Sequence, residues 1–326
     1  MRAVCCRELG GFDRLTIGHL ELGEPGTGEV RIRVKAAGLN FADLLMVQGR
    51  YQEKPALPFA PGMEIAGEID RLGPGVVGFE PGQRVMATLG HGGFAEMAIV
   101  RSEDIVPLPD AIDDVTAAGF AIAYGTALGA LQWAGRLKPG ETLVVHGSAG
   151  GVGLATVECG KALGATVIGT ARGQDRLEVV KAHGADHVID TDSGDLRGQI
   201  KALTDQHGAD VVFDPIGGEI FDSSLRSLAW EGRLLVIGFA GGKIPEIPAN
   251  LLLVKNVSAI GFYWGSYRRF DPKRVQTSFE TLVDWYVKGL IKPHISVVRP
   301  LDRFLEAFEA LAERKSTGKV VLTLDG

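Results

Sequence analysis

Cysteine is scarce in this chain. There are three among 326 residues, Cys5, Cys6 and Cys159. None forms a C-x-x-C pair, and adjacent Cys5 and Cys6 are poorly placed to bridge or to ligate one metal together. A disulfide scaffold is excluded, and the odd count points to a reducing compartment. Long apolar runs are also missing. No stretch approaches the roughly 20 residues of a membrane-spanning helix, and Met1-Arg-Ala-Val-Cys-Cys-Arg-Glu has no apolar signal-peptide core. Positive charge is not in excess: Lys and Arg number 34 against 40 for Asp and Glu, a net charge of -6. A general surface for nucleic acid or anionic membrane is not indicated, and no basic strip studded with aromatics appears. A cytoplasmic protein is expected, with 45% hydrophobic and 23% charged residues and length enough for two domains.

Glycine, by contrast, is abundant, with 45 residues placed at strand ends and turns rather than in a repeat. Four of them fall in Gly147-Ser-Ala-Gly-Gly-Val-Gly. An apolar run over 142–146 precedes this stretch, and a helical pattern over 152–163 follows it. Strand, glycine turn and helix in that order let the backbone approach a pyrophosphate closely and offer it the N–H groups of a helix start. The spacing is Ser148-x-Gly150-x-x-Gly153, with serine where the first fingerprint glycine would stand. Ser148, Ala149, Gly150, Gly151, Val152 and Gly153 are the expected dinucleotide contacts.

Upstream, the chain reads as β-rich. Val30, Ile32 and Val34 alternate with Arg31, Arg33 and Lys35, which predicts a half-buried strand. Further strands are expected over 63–69, 84–87 and 94–100, punctuated by Pro-Gly turns, and they suggest a small irregular barrel or sandwich. Asp113 caps a helix, and 124–133 is a second. From residue 142 strands over 142–146, 165–170, 187–190, 211–213, 233–237 and 257–260 alternate with helices, which predicts a doubly wound parallel sheet. Helices over 272–288 and 301–315 and a last strand from Lys319 follow. The fold class is therefore α/β.

Four stretches carry a resemblance across essentially the whole chain. They are Ala37-Gly-Leu-Asn-Phe-Ala-Asp, Pro58-Phe-Ala-Pro-Gly-Met-Glu-Ile-Ala-Gly, His146-Gly-Ser-Ala-Gly-Gly-Val-Gly and Gly318-Lys-Val-Val-Leu. With them the chain resembles the zinc-independent quinone oxidoreductase family of the medium-chain dehydrogenase/reductase superfamily. The resemblance implies a GroES-like catalytic domain over 1–121, a Rossmann NADPH-binding domain over 122–260 and a return to the catalytic domain over 261–326. It also implies nicotinamide in a cleft between the domains, and a homodimer or a tetramer of dimers. In zinc-bearing relatives a cysteine stands where this chain has Asn40 and a histidine where it has Met63. Only Glu64 of that set remains, so no metal is expected. Without a Lewis acid the easier chemistry is reduction of an electron-poor acceptor, a quinone or enone.

An acidic residue about twenty positions past the turn usually bonds the ribose hydroxyls of NAD. Ala171 falls at that place and Arg172 follows it. An arginine there pairs with a 2′-phosphate, with Arg176 one turn on, so NADPH is the expected cofactor. A shift of register would instead bring Asp175 to the ribose. The resemblance places Asn40 at the substrate end, where its amide either donates to the acceptor carbonyl or caps a turn. Tyr51 is the second catalytic candidate, as a phenol that donates a proton or hydrogen bond. Thr126, Gly238, Phe239 and Lys319 are expected near the cofactor. Phe262, Tyr263 and Trp264 either wall a pocket or belong to the core. Arg268, Arg269, Lys273 and Arg274 form a basic cluster, read as a solvated face or a dock for a phosphate-bearing thioester. Two rivals stay open beside quinone reduction: an enoyl-thioester reductase and a non-catalytic NADPH-binding protein.

Overall fold

The computed structural model describes residues 1–324. In chain order its strands and helices are β1 (Arg2–Cys5), β2 (Thr16–His19), β3 (Glu29–Leu39), α1 (Phe41–Val47), β4 (Glu64–Leu72), β5 (Arg84–Thr88), β6 (Met97–Arg101), β7 (Ile105–Pro107), α2 (Asp114–Ala118) and α3 (Ala121–Gly129). There follow β8 (Thr142–Val145), α4 (Gly151–Ala162), β9 (Thr166–Ala171), α5 (Gln174–Ala182), β10 (His187–Asp190), α6 (Leu196–Leu203), β11 (Ala209–Asp214), α7 (Gly218–Ser227) and β12 (Leu228–Val236). The last are α8 (Ala249–Lys255), β13 (Ser258–Gly261), α9 (Trp264–Phe270), α10 (Pro272–Val287), β14 (Ile295–Pro300), α11 (Phe304–Ala312) and β15 (Lys319–Thr323).

The chain forms two compact units, Met1–Ile122 with Pro293–Gly326, and Ala123–Lys292. In the first, a seven-stranded sheet runs β14-β15-β3-β4-β5-β7, with β6 also paired to β3. Strand β3 is its centre. Val30, Ile32 and Val34 are buried. Arg31 and Arg33, pointing the other way, both reach Asp70 on β4, at 2.7 and 2.9 Å. From Ala36 to Leu39 every residue of β3 is buried, which takes the strand into the core and delivers Asn40 at its end. Helix α2 is capped as expected, with the Asp113 carboxylate accepting from the Thr116 N–H at 2.9 Å.

The second unit holds six parallel strands in the order β10-β9-β8-β11-β12-β13. The order reverses at β8, whose neighbours are β9 and β11, so the crevice beyond its carboxyl end is the place where such sheets bind ligands. Both faces are covered, as parallel strands require. Val144, Ile168, Val212 and Leu234 pack on one face with Phe221 and Leu225 of α7 and Ile200 of α6. On the other, α4 lies so close that a methyl at Gly160 would stand 2.5 Å from Leu143.

Two expectations change. The return to the first unit starts at Pro293, not at 261. The aromatic run explains this: Phe262 and Trp264 are buried, and their rings meet Trp133 and Phe279 at 6.1 and 6.0 Å. These residues are core of the second unit, and Trp264 starts α9 rather than walling a pocket. In addition, the helix capped by Asp113 stops at Ala118, a turn at Gly119 and Phe120 follows, and the helix expected over 124–133 starts earlier, at Ala121, and ends in a wide turn at Ala130–Ala134.

Candidate active site

The turn after β8 is built by local hydrogen bonds. The His146 N–H donates to the Phe213 carbonyl at 3.0 Å, which carries the ladder one residue past the strand. Gly147 then turns with φ +57°. The left-handed position of the fingerprint is thus Gly147 and not Ser148. The Ser148 hydroxyl is fully buried and donates to the Thr170 carbonyl at 2.9 Å, beside the Ser148 N–H at 3.0 Å. Ser148 therefore pins the turn to β9, with both its hydroxyl and its N–H engaged there. Ala149 is buried. Gly150 is the exposed N-cap of α4, and Gly151 and Val152 form its first turn, where N–H groups have no acceptor within the helix.

Gly153 decides how near that helix comes. A Cβ there would lie 2.2 Å from the Gly147 carbonyl oxygen and 2.7 Å from the Ser148 Cα. Only a residue without a side chain lets the helix start rest on the turn. This is a cradle that fits a pyrophosphate: a helix N-terminus with free donors, an exposed glycine cap and no side chain between them.

Beneath the turn lies His146, a residue that sequence reasoning did not single out. It is fully buried, with Nδ1 2.9 Å from Thr170 Oγ1 and Nε2 2.6 Å from Ser224 Oγ. Ser224 Oγ donates in turn to the Ile220 carbonyl at 2.6 Å. Ser224 therefore accepts from Nε2–H and Thr170 donates to Nδ1, an arrangement that suits the neutral ring. Burial pushes the His146 pKa down, against a smaller pull from Asp214.

Strand β9 ends at Ala171, and Arg172 follows, exposed and paired with Asp192 at 2.9 Å. Arg176 is half-buried on α5. Asp175 is exposed in the first turn of the same helix. Gly238 and Phe239 follow β12, and their loop is tied over the turn after β11, with Ala240 N donating to Pro215 O at 3.0 Å and Gly241 N to Ile216 O at 2.9 Å. Gly147 faces Ile216 from the neighbouring strand end, since a methyl on it would meet that side chain at 2.9 Å. The β8, β11 and β12 ends are thus brought together. Thr126 is half-buried in α3. Nearby in sequence, the Tyr124 hydroxyl donates to the buried Glu158 at 2.5 Å. Glu158 also meets His183 Nδ1 at 2.6 Å and accepts from the Lys292 N–H at 2.9 Å.

In the first unit, Asn40 opens α1. Its Nδ2 donates to Glu64 Oε1 at 2.9 Å, and its Oδ1 accepts from Lys319 Nζ at 2.7 Å. Lys319 also donates to Glu64 Oε1 at 2.7 Å and to the Leu39 carbonyl at 3.1 Å. All three ammonium protons are thereby engaged inside this unit. Asp43, fully buried, accepts from the Asn40 N–H at 2.8 Å and the Gly62 N–H at 2.9 Å. Burial pushes its carboxyl up to about 7, opposed by those two N–H groups and by Lys319 and aided by Glu64. Tyr51 is half-buried against the core of this unit. Met63 is buried. Among the described residues, no group of three or more His, Cys, Asp or Glu is arranged to hold a metal ion.

Comparison with known proteins agrees with these two units. Residues 26–110 match the alcohol dehydrogenase GroES-like domain, and 151–287 match the zinc-binding dehydrogenase family. The chain is 41% identical over 328 residues to the quinone oxidoreductase-like protein 2 homolog of Nematostella vectensis, covering 98% of this chain and 88% of that one. A mycobacterial protein solved with NADPH superposes with a TM-score of 0.93 at 30% identity, over 99% of this chain and 100% of that one. The Escherichia coli quinone oxidoreductase, solved with NADPH, superposes with a TM-score of 0.94 at 26% identity, over 99% and 100%. A GroES-like unit followed by a Rossmann unit defines the medium-chain dehydrogenase/reductase architecture. Within that superfamily, the chain belongs to the quinone oxidoreductase family.

Proposed function

We propose that the protein is an NADPH-dependent reductase of quinones or related conjugated carbonyls that works without a metal. The observation that carries the reading is the glycine cradle at Gly147–Gly153, where α4 rests on the turn only because Gly153 has no Cβ. Bound there, NADPH supplies the hydride. Gly150, Gly151 and Val152 present the helix start to the pyrophosphate. Arg172, with Arg176, receives the 2′-phosphate, because Ala171 stands where an acidic residue would repel it. Thr126, Gly238 and Phe239 border the nicotinamide. Asn40 donates to the acceptor carbonyl as negative charge grows on its oxygen, and Tyr51 supplies a second donor. The product takes its proton from solvent. Both Glu64 oxygens already accept bonds, Oε1 from Asn40 and Lys319 and Oε2 from the Ile122 N–H at 2.9 Å, which supports the metal-free reading. NADPH-complexed relatives and relatives called quinone oxidoreductases support it further.

A homodimer in the cytoplasm is part of the proposal. Strand β13 pairs only with β12, so one edge lacks a partner among the described residues, and Leu253 and Val254 of the preceding α8 are 77% and 71% exposed. Sedimentation equilibrium of the purified chain tests this.

The deciding experiment follows NADPH oxidation against 1,4-benzoquinone, phenanthrenequinone, methyl vinyl ketone and crotonyl-coenzyme A, with a chelator present. Turnover of the quinones is expected. Strong preference for the thioester would move the reading to an enoyl reductase and make exposed Arg269, Lys273 and Arg274 the residues to test. Tight NADPH binding with no turnover of any acceptor would leave a binding role.

A further inference from the structure

Three side chains from three distant segments meet inside the first unit. Asn40 follows β3, Glu64 opens β4 and Lys319 opens β15. The Glu64 side chain has no exposed surface, and that of Lys319 has 6%. Such an ion pair gives up its hydration and contributes little stability unless its remaining donors and acceptors are matched. Here they are matched, by Leu39 O, Asn40 Oδ1, Asn40 Nδ2 and the Ile122 N–H. The pattern brackets the Asn40 amide. A cation sits at its oxygen and an anion at its nitrogen. Turning the amide over would face NH₂ toward the ammonium and oxygen toward the carboxylate, so two attractions would become two repulsions. The terminal torsion of an unconstrained asparagine has no such bias, being broad and roughly two-fold.

We infer that Glu64 and Lys319 are positioning residues that lock the Asn40 amide in one orientation, so that its second N–H is presented to the acceptor. That N–H has only a long contact, 3.4 Å from Nδ2 to the Gly38 carbonyl. The inference rests on the reading of Asn40 as the donor to the acceptor carbonyl. Neither Glu64 nor Lys319 touches the acceptor in this scheme. The sequence-level expectation that Lys319 serves the cofactor is replaced by a role on the substrate side.

The test uses the full chain and four variants: Asn40→Ala, Lys319→Met, the double variant Lys319→Met with Glu64→Gln, and that double variant with Asn40→Ala added. Lys319→Met alone leaves a buried carboxylate unpaired and lowers the melting temperature. The double variant removes both charges and recovers most of it. In the double variant the neutral amide introduced at position 64 both donates and accepts, so Asn40 can lie either way up. With both orientations open, positioning predicts a kcat lower by about twofold or more, an acceptor KM within about twofold, since the bond acts on the transition state, and an unchanged NADPH Kd by fluorescence. Adding Asn40→Ala to the double variant lowers kcat by a smaller factor than Asn40→Ala does in the wild type. Wild-type turnover in the double variant, with Asn40→Ala slow, would overturn the inference and leave the pair as a structural strut. Full turnover by Asn40→Ala would instead overturn the reading of Asn40 itself. Should the double variant not fold, Lys319→Gln with Glu64→Gln gives the same kcat and KM comparison, with both buried charges removed and hydrogen-bonding groups kept at both positions.

Discussion

Replacing Gly153 by alanine tests the cradle most directly. Without movement, the new methyl would stand 2.2 Å from the Gly147 carbonyl oxygen and 2.7 Å from the Ser148 Cα. Ordinary contact begins near 3.4 Å, so turn and helix must part by roughly 1 Å. Neither neighbour yields easily. Gly147 follows a strand end paired to Phe213, and Ser148 is held to Thr170 by two bonds. Overpacking of this kind costs about 1–3 kcal/mol, which lowers the melting temperature by roughly 2–10 °C for a unit of this size. The same displacement carries the first-turn N–H groups away from the pyrophosphate, and the loss of one charge-assisted bond weakens NADPH by about tenfold or more. Gly150→Ala is the control. Its nearest neighbour is 3.4 Å away and its φ is -81°, so the fold accepts it. The exposed methyl nevertheless stands on the cap of the helix facing the phosphates. Its melting temperature should match the wild type while NADPH binding weakens. Differential scanning calorimetry and NADPH fluorescence titration read both quantities. Wild-type Kd in both variants, whatever their stability, would refute the assignment of this turn to the cofactor.

Other consequences follow. Arg172→Ala should raise the KM for NADPH about tenfold or more and leave NADH unaffected; equal loss with both cofactors would remove Arg172 from the site. Asp192→Asn, which frees Arg172 from an exposed pair, should lower that KM by no more than about fivefold. For Asp43, the folded carboxyl lies near 7 against an ordinary 3.8. The folded state thus holds the proton more firmly, and this contribution is fully present below about pH 4 and lost as pH rises through 7. Denaturant midpoints measured from pH 4 to 8 should fall more steeply in the wild type than in Asp43→Asn, and parallel curves would show that the carboxyl does not titrate there. The indole N–H of Trp264 is buried without a hydrogen-bond partner among the described residues. Trp264→Phe should therefore cost about 1 kcal/mol or less in urea unfolding, and a loss above about 3 kcal/mol would mean that the N–H is satisfied.

The elements that announce themselves in the sequence are those with local causes. The alternation of Val30, Ile32 and Val34 with arginines predicts β3, and the cap at Asp113 predicts α2, because each pattern is set by residues a few positions apart. The strand–helix alternation from Thr142 predicts the parallel sheet for the same reason. Strand β14 and helix α1 escape such prediction, since Ile295–Pro300 is half-exposed and takes its pairing from β15, and Phe41–Val47 is too short to show a period. The aromatic run Phe262–Trp264 offers no local sign of which way it packs, and Trp133, more than a hundred residues earlier, decides it.

The glycine turn and the lack of an acid at Ala171 are legible because spacing along one short stretch defines them. The register within the turn is not: Gly147 rather than Ser148 takes the positive φ, because the Ser148 hydroxyl finds the Thr170 carbonyl on the adjacent strand. Asn40 can be named from its neighbours, but its partners lie 24 and 279 positions away. The same distance hides the charge balance around Asp43 and the burial of His146 between Thr170 and Ser224. Sequence by itself determined the strand–helix alternation of the parallel sheet, the glycine turn and the residue types present, since these depend on backbone freedom and local periodicity, but not where the chain returns to the first unit. Tertiary structure alone decided which of those residues touch, and hence that Lys319 is bonded to Asn40, because a buried charge takes its partner from whatever the fold brings within reach.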